Sequence, residues 1–237
     1  ILAGGMGTRL KKLYINTPKS LIKIKNTPFL AIQINWLIKN GVNKIIILTG
    51  YKSEYIEHYI ENYKENHNCE IVLINEKHAL GTGGALINAL RTDHVNEEFM
   101  LFNGDSLVDA NLLKFYETTV IKGTFGIIAY KLNNNNRYGA IKFDENNIMT
   151  SFYEKIDVKS KYIFINTGVY YFNNKNFINY FSNKKKLSLE YEVIPYLLNI
   201  NQKFYIYTAV SKFIDIGTIE SLSIFENEIE QWRSILQ

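Results

Sequence analysis

The sequence predicts an α/β protein with a three-layer core of parallel strands and crossover helices, followed by a mixed sheet. Three observations carry that expectation. The apolar run Ile1-Leu2-Ala3 breaks into Gly4-Gly5-Met6-Gly7-Thr8-Arg9, a buried strand opening into a glycine loop. Strand-like and helix-like segments then alternate, which requires crossovers that pack on the faces of a sheet. Beyond residue 124 the alternation stops, and β-rich runs follow one another through Asn- and Lys-rich turns.

Local pattern justifies each element. Residues 29–40 read as a helix closed by Gly41, and residues 44–48 as a buried strand ending at Thr49-Gly50. Residues 52–64 give a second helix and 70–74 a third strand, completing a β-α-β-α-β run. Residues 84–90 form a short helix behind a glycine turn, 98–102 a strand ending at Asn103-Gly104-Asp105, and 111–117 another helix. Residues 125–130, 139–143, 148–152 and 162–170 are the strands of the mixed sheet, and the four consecutive Asn at 133–136 mark its sharpest loop. Helices return at 175–181 and 189–199, then a strand at 204–207, the run Phe213-Ile214-Asp215, and a last helix over 218–232. With no internal repeat and no long linker, residues 1–237 read as one domain.

Composition removes several classes. Hydrophobic residues make up 46% and charged residues 21% of the chain, which excludes disordered and collagen-like proteins. The single cysteine, Cys69, excludes an internal disulfide or a cysteine zinc cluster and points to a reducing compartment. No apolar stretch reaches the roughly 18 to 20 residues of a membrane span. Arg9, Lys11 and Lys12 follow the opening apolar residues, the reverse of a signal peptide's order. A cytoplasmic protein with no membrane partner is expected. The net charge of +4 is spread over lysines along the chain, which argues against a nucleic-acid partner. His58, His67, His78 and His94 show neither metal-ligand spacing nor a nucleophile signature.

Four groups of residues could carry chemistry. In Leu2 to Arg9 the glycines let the backbone approach an anion, and Thr8, Arg9 and the Lys19 of Pro18-Lys19 add donors. The loop lacks the Gly-Lys-Ser/Thr of a Walker motif and departs from Gly-x-Gly-x-x-Gly; a structural glycine turn is the alternative. Leu80-Gly81-Thr82-Gly83-Gly84-Ala85 offers a small-residue surface to a flat base or ribose, and reads equally as a tight loop. Near it in sequence, Glu76 is acceptor-only when ionised and suits a base edge that donates, guanine best with two adjacent donors and cytosine with one; the alternative is a solvated surface glutamate.

Asp105 and Asp215 each terminate an apolar strand, where side chains face the crevice of an open sheet. Two such carboxylates can hold Mg²⁺ between phosphates, although either alone reads as a cap or turn former. Glu154-Lys155, beside the Asn166-Thr167-Gly168 break, suits a ligand with hydroxyls and a phosphate, or a solvated charge pair.

These motifs, in this order, resemble the sugar-1-phosphate nucleotidyltransferases, also called nucleoside-diphosphate-sugar pyrophosphorylases, over essentially the whole chain. Within that family, Leu80 to Ala85 and Leu187-Ser188-Leu189-Glu190 are most similar to members that transfer a guanylyl group to D-glycero-D-manno-heptose 1-phosphate for bacterial surface polysaccharide. The resemblance implies a Rossmann-like nucleotide-binding core, mainly residues 1–120 and 203–237, and a mixed-sheet sugar-binding part, mainly 121–202.

It further implies that Leu2, Ala3, Gly4, Gly5, Gly7, Thr8, Arg9, Lys19, Glu76, Gly81, Thr82 and Asp105 bind the nucleotide, the Gly4 to Arg9 loop wrapping the triphosphate, Lys19 contacting phosphate, and Glu76 and Gly81 lying at the base. Asp105 and Asp215 would hold Mg²⁺, and Arg9, Lys19, Asp105 and Asp215 would be catalytic. Asn103, Gly139, Glu154, Lys155, Asn166 and Thr167 would contact the sugar phosphate. The implied substrates are a nucleoside triphosphate, GTP preferred, and a sugar 1-phosphate, with mannose 1-phosphate as acceptor, or cytidylyl, uridylyl or thymidylyl transfer to another phosphorylated acceptor, as alternatives; the sequence also admits a homodimer. Ser20 stands where many members have proline, and Ser106 where several carry a further polar or acidic residue.

Other readings fit less well. A nicotinamide oxidoreductase would carry an acid at the end of its second strand, where this chain has Leu48-Thr49-Gly50. A nucleotide-sugar glycosyltransferase would show paired metal-binding acids where Asn103-Gly104-Asp105-Ser106 supplies one. A non-catalytic relative would be expected to have lost Arg9, Lys19 or an aspartate, and all are present.

Overall fold

The computed structural model describes the chain except residues 6, 8, 9, 11–13, 15, 65–68, 134–137, 154–161, 182–185 and 233–237. Two compact units are present. The first gathers Ile1–Ala79, Asn103–Leu107 and Ile214–Gln237, and the second Leu80–Phe102 and Val108–Phe213. None of the described helices is long and apolar enough to cross a membrane.

The first unit is built on parallel pairing. Strands Lys44–Thr49 and Glu70–Asn75 run parallel from Lys44↔Glu70 to Thr49↔Asn75. Leu2 extends this order, bridging Leu48 on one side and Asn103 on the other, both in parallel. Parallel strands end at the same edge, so Gly4, Gly50, Glu76 and Asp105 all leave the sheet on one side. Helix Phe29–Lys39 is buried around most of its circumference, Phe29, Leu30, Ala31, Ile32, Ile34, Trp36 and Leu37 included. Its Phe29 ring packs edge-on against Phe225 of helix Ile219–Glu228, their centroids 6.0 Å apart. Phe225 packs in turn on Trp232.

The second unit carries a six-stranded mixed sheet, in the order Phe204–Tyr207, Phe125–Asn133, Tyr162–Phe172, Ala140–Phe143, Met149–Tyr153, with Phe99–Phe102 also on Tyr162–Phe172. Only the pairing of Phe204–Tyr207 with Phe125–Asn133 is parallel. The 11-residue strand Tyr162–Phe172 serves three partners, its last residues facing Phe99–Phe102 and Phe164-Ile165 facing Ile141-Ala140. Phe99, Phe125, Phe172, Phe177 and Phe204 fill its core as a chain of ring contacts.

Several elements differ from the sequence expectation. The helix expected over 84–90 begins at Gly81, because Leu187's carbonyl accepts from the N–H groups of Gly83 and Gly84 and satisfies its first turn. A strand Ser106–Ala110, paired with Val210–Asp215, follows Asp105 where no element was expected. The next helix extends to Lys122, capped by the Asn111 side chain and by left-handed Gly123. The expected helix 189–199 starts as a π-helical stretch, Leu189–Val193, before its α-helical end Ile194–Asn199. The segment 175–181 is a 3-10 helix, Asn176–Phe181. A small hairpin, Lys23–Ile24 with Thr27–Pro28, turns through Lys25 at φ 55°; nothing in the sequence reading marked it.

Candidate active site

Lys19 and Asp105 meet in the first unit although they are 86 residues apart. Pro18 leads into a 3-10 turn, Lys19–Leu21, closed by Leu21 N–H donating to the Pro18 carbonyl at 2.9 Å. From it the Lys19 ammonium forms a hydrogen-bonded ion pair with Asp105 Oδ2. The Lys19 stem lies beside left-handed Gly7, where an added Cβ would come within 3.2 Å of the lysine's own Cβ. One third of the Asp105 side chain remains exposed.

Asp105 sits on a turn held from several sides. Gly104 N–H donates to the Leu2 carbonyl at 3.0 Å, and a Cβ at Gly104 would lie 2.5 Å from that oxygen, so only glycine allows this approach. Ser106 Oγ donates to Asp105 Oδ1 at 3.1 Å. Burial opposes the Asp105 charge, but the Lys19 ammonium and the hydrogen bonds from Lys19 and Ser106 outweigh it and hold the carboxyl below its ordinary range. The residue after Asp215 reaches this turn in space: Ile216 N–H donates to the Asp105 carbonyl at 2.9 Å. Asp215 is itself buried, and its Oδ1 accepts from Gly217 N–H at 2.7 Å. The Thr218–Ser221 capping box then opens helix Ile219–Glu228.

The glycine loop and Glu76 occupy the same sheet edge. Ala3 N–H donates to the Leu48 carbonyl at 2.8 Å, after which the chain departs through Gly4, whose carbonyl accepts from Tyr51 N–H. The Glu76 carboxylate lies over two glycines: an added Cβ would come within 3.1 Å of its Oε1 at Gly4 and 2.6 Å at Gly50. Gly5 faces open space. The side-chain oxygen of Asn103, at the end of the neighbouring strand, is buried without a hydrogen-bond partner among the described residues. Thr8, Arg9, Glu154 and Lys155 lie outside the described residues.

The remaining candidates belong to the second unit. Gly81 adopts φ 74° against the Leu187 carbonyl, and Gly83 against Leu189 and Val193. Thr82 Oγ1 donates to Glu190 Oε2 at 2.8 Å and accepts from Leu189 N–H at 2.9 Å. One face of the glycine run is therefore taken by the segment 187–193. Asn166 and Gly139 are adjacent, Asn166 N–H donating to the Gly139 carbonyl at 3.0 Å. Asn166 Nδ2 donates to the Tyr170 hydroxyl at 2.7 Å where the strand register shifts. Thr167 is buried, its hydroxyl donating to the Ile128 carbonyl at 2.7 Å, so that proton belongs to the sheet.

Glu190, which the sequence marks only within the string Leu187 to Glu190 and without a role, gathers the hydroxyls of Thr82 and Ser188. One contributor was not marked from the sequence at all. Gln33 binds the turn that carries Asp105; its signal was a polar residue inside the apolar run Phe29 to Ile34.

Comparison with known proteins gives a consistent result. Residues 1–231 match the family model described as nucleotidyl transferase. The chain is similar to D-glycero-alpha-D-manno-heptose 1-phosphate guanylyltransferase of Campylobacter jejuni, 33% identical over 93% of this chain and 94% of that one. It is also similar to the mannose-1-phosphate guanylyltransferase catalytic subunit beta of Drosophila melanogaster, 31% identical over 92% of this chain but 58% of that longer protein. Among solved structures, HddC from Yersinia pseudotuberculosis complexed with GMP-PN superimposes with a TM-score of 0.82 at 30% identity, covering 96% of this chain and 97% of the other.

Proposed function

Because the chain belongs to the nucleotidyl transferase family, we propose that it transfers a guanylyl group from GTP to D-glycero-α-D-manno-heptose 1-phosphate and releases pyrophosphate. The Lys19–Asp105 pair at the parallel sheet edge, with Glu76 on the same edge, carries this reading. It combines a fixed cation, a carboxylate held ionised and a base-edge acceptor. The heptose guanylyltransferase relative and the GMP-PN complex of HddC support guanine as the base.

A sugar-phosphate oxygen attacks the α-phosphorus of GTP in line; the new P–O bond forms as the bond to pyrophosphate breaks. The attacking phosphate is already ionised, so no protein nucleophile or base is needed. Lys19 neutralises charge on the phosphates, and the glycine loop presents backbone N–H groups to them. Glu76 accepts from the two adjacent guanine donors. By the resemblance, Asn103, Gly139, Glu154, Lys155, Asn166 and Thr167 contact the sugar phosphate and Arg9 the triphosphate.

Asp105 and Asp215 fit Mg²⁺ as two hard oxygen donors on neighbouring strand ends. Mg²⁺ usually takes one or two carboxylates and completes its shell with phosphates and water. When bound, Mg²⁺ supplies neutralisation of phosphate charge.

The test is pyrophosphate release from GTP, CTP, UTP, dTTP and ATP, each with heptose, mannose and glucose 1-phosphates. GTP with the heptose phosphate is expected to be fastest, and Glu76→Gln to reduce the preference for GTP about tenfold, the size of one charge-assisted hydrogen bond. A best rate with CTP or dTTP would overturn the guanylyl assignment, and a best rate with mannose 1-phosphate the heptose.

A further inference from the structure

We propose that Gln33 is a positioning residue for the Asp105 carboxylate. Gln33 lies at the middle of helix Phe29–Lys39 and is fully buried. Burying a side-chain amide is unfavourable unless its polar atoms find partners. Its Nε2 donates twice, at 2.9 Å to the Asn103 carbonyl and at 2.9 Å to the Ser106 carbonyl. Those carbonyls flank Gly104-Asp105, so one side chain spans the turn.

The turn's own closure is weak by comparison. Ser106 N–H reaches the Asn103 carbonyl only at 3.3 Å. Opposite the Gln33 clamp, Ile216 N–H holds the Asp105 carbonyl. Backbone freedom at Asp105 is thereby removed from two directions, and its carboxylate is left to meet Lys19 and the ligand.

The other end of the amide points to the same role. Gln33 Oε1 is buried and has no hydrogen-bond partner among the described residues. A half-satisfied buried amide costs stability that an apolar residue of similar size would not. The side chain thus acts through its two donors on the turn rather than through packing.

The inference rests on the reading of Asp105 as a carboxylate that faces the nucleotide and its metal. The experiment is calorimetric binding of the Mn²⁺ complex of a non-hydrolysable GTP analogue to the wild type, Gln33→Met, Asp105→Asn and the double variant, with thermal unfolding measured on each. Gln33→Met is expected to weaken binding about tenfold in the wild-type background and less than about twofold in the Asp105→Asn background, because residues acting through one another are non-additive. The conservative Gln33→Asn, too short to span both carbonyls, is expected to show a smaller loss with the same dependence on Asp105, and serves if the methionine variant does not fold. Equal losses in both backgrounds would overturn the role of Gln33 and mark it as structural. Wild-type binding by Asp105→Asn would overturn the reading of Asp105 itself, and this proposal with it.

Discussion

At the residue scale, Asp105 is ionised against its own burial because Lys19 and Ser106 act on it together. The sign of the pH dependence follows. A carboxyl whose folded pKa is depressed contributes stability above its unfolded value, and that contribution is lost as pH falls through the folded value. Urea unfolding midpoints of the wild type are therefore expected to fall more steeply than those of Asp105→Asn as pH drops from about 5 to about 2, around the ordinary carboxylate range. Parallel curves would contradict the pairing with Lys19. Lys19, Asp105 and Asp215 were legible in the sequence because each follows a recognisable break, Pro18 or the end of an apolar run. Gln33 was not, since a helix pattern records which positions are buried but not where a buried polar group finds its partners. Thr167 shows the converse: its motif was visible, but the acceptor of its hydroxyl, Ile128, is 39 residues away.

At the element scale, the glycine run at 81–84 is a packing device as well as a candidate base contact. Gly81→Ala would place a Cβ 2.4 Å from the Leu187 carbonyl at φ 74°. Strain of this kind costs about 1–3 kcal/mol, so a lower midpoint of thermal unfolding is expected by circular dichroism. A variant as stable as the wild type would show that the segment at 187 does not press on Gly81. The helix start at Gly81 was hidden in the sequence because glycines disfavour helix, and the distant Leu187 carbonyl satisfies the N–H groups of Gly83 and Gly84. The strand Ser106–Ala110 was hidden for another reason. Its partner is distant in sequence: Asp109 accepts from Ser211, 102 residues away on the strand beside it. The parallel strands 44–49 and 70–75 were plain because continuous apolar runs bounded by turn residues need no distant partner to be recognised.

At the scale of the whole molecule, the first unit is assembled from three stretches of chain, and each supplies at least one member of the proposed catalytic set. Lys19 comes from the first, Asp105 from Asn103–Leu107 and Asp215 from Ile214–Gln237. The resemblance implies one site for all three, but the five-residue excursion that brings Asp105 into this unit rests on pairing with Leu2 and on hydrogen bonds from Gln33 and Ile216, none of them visible in the sequence pattern. The central claim is that these residues act together on a transferring guanylyl group. It is tested most directly by pyrophosphate release from GTP and D-glycero-α-D-manno-heptose 1-phosphate with the wild type, Lys19→Met, Asp105→Asn and Asp215→Asn, each checked for folding by circular dichroism. The expected result is release by the wild type and a loss of about a hundredfold or more in each folded variant, the scale of one preorganised charge contact. Near-wild-type release by the folded variants would contradict it.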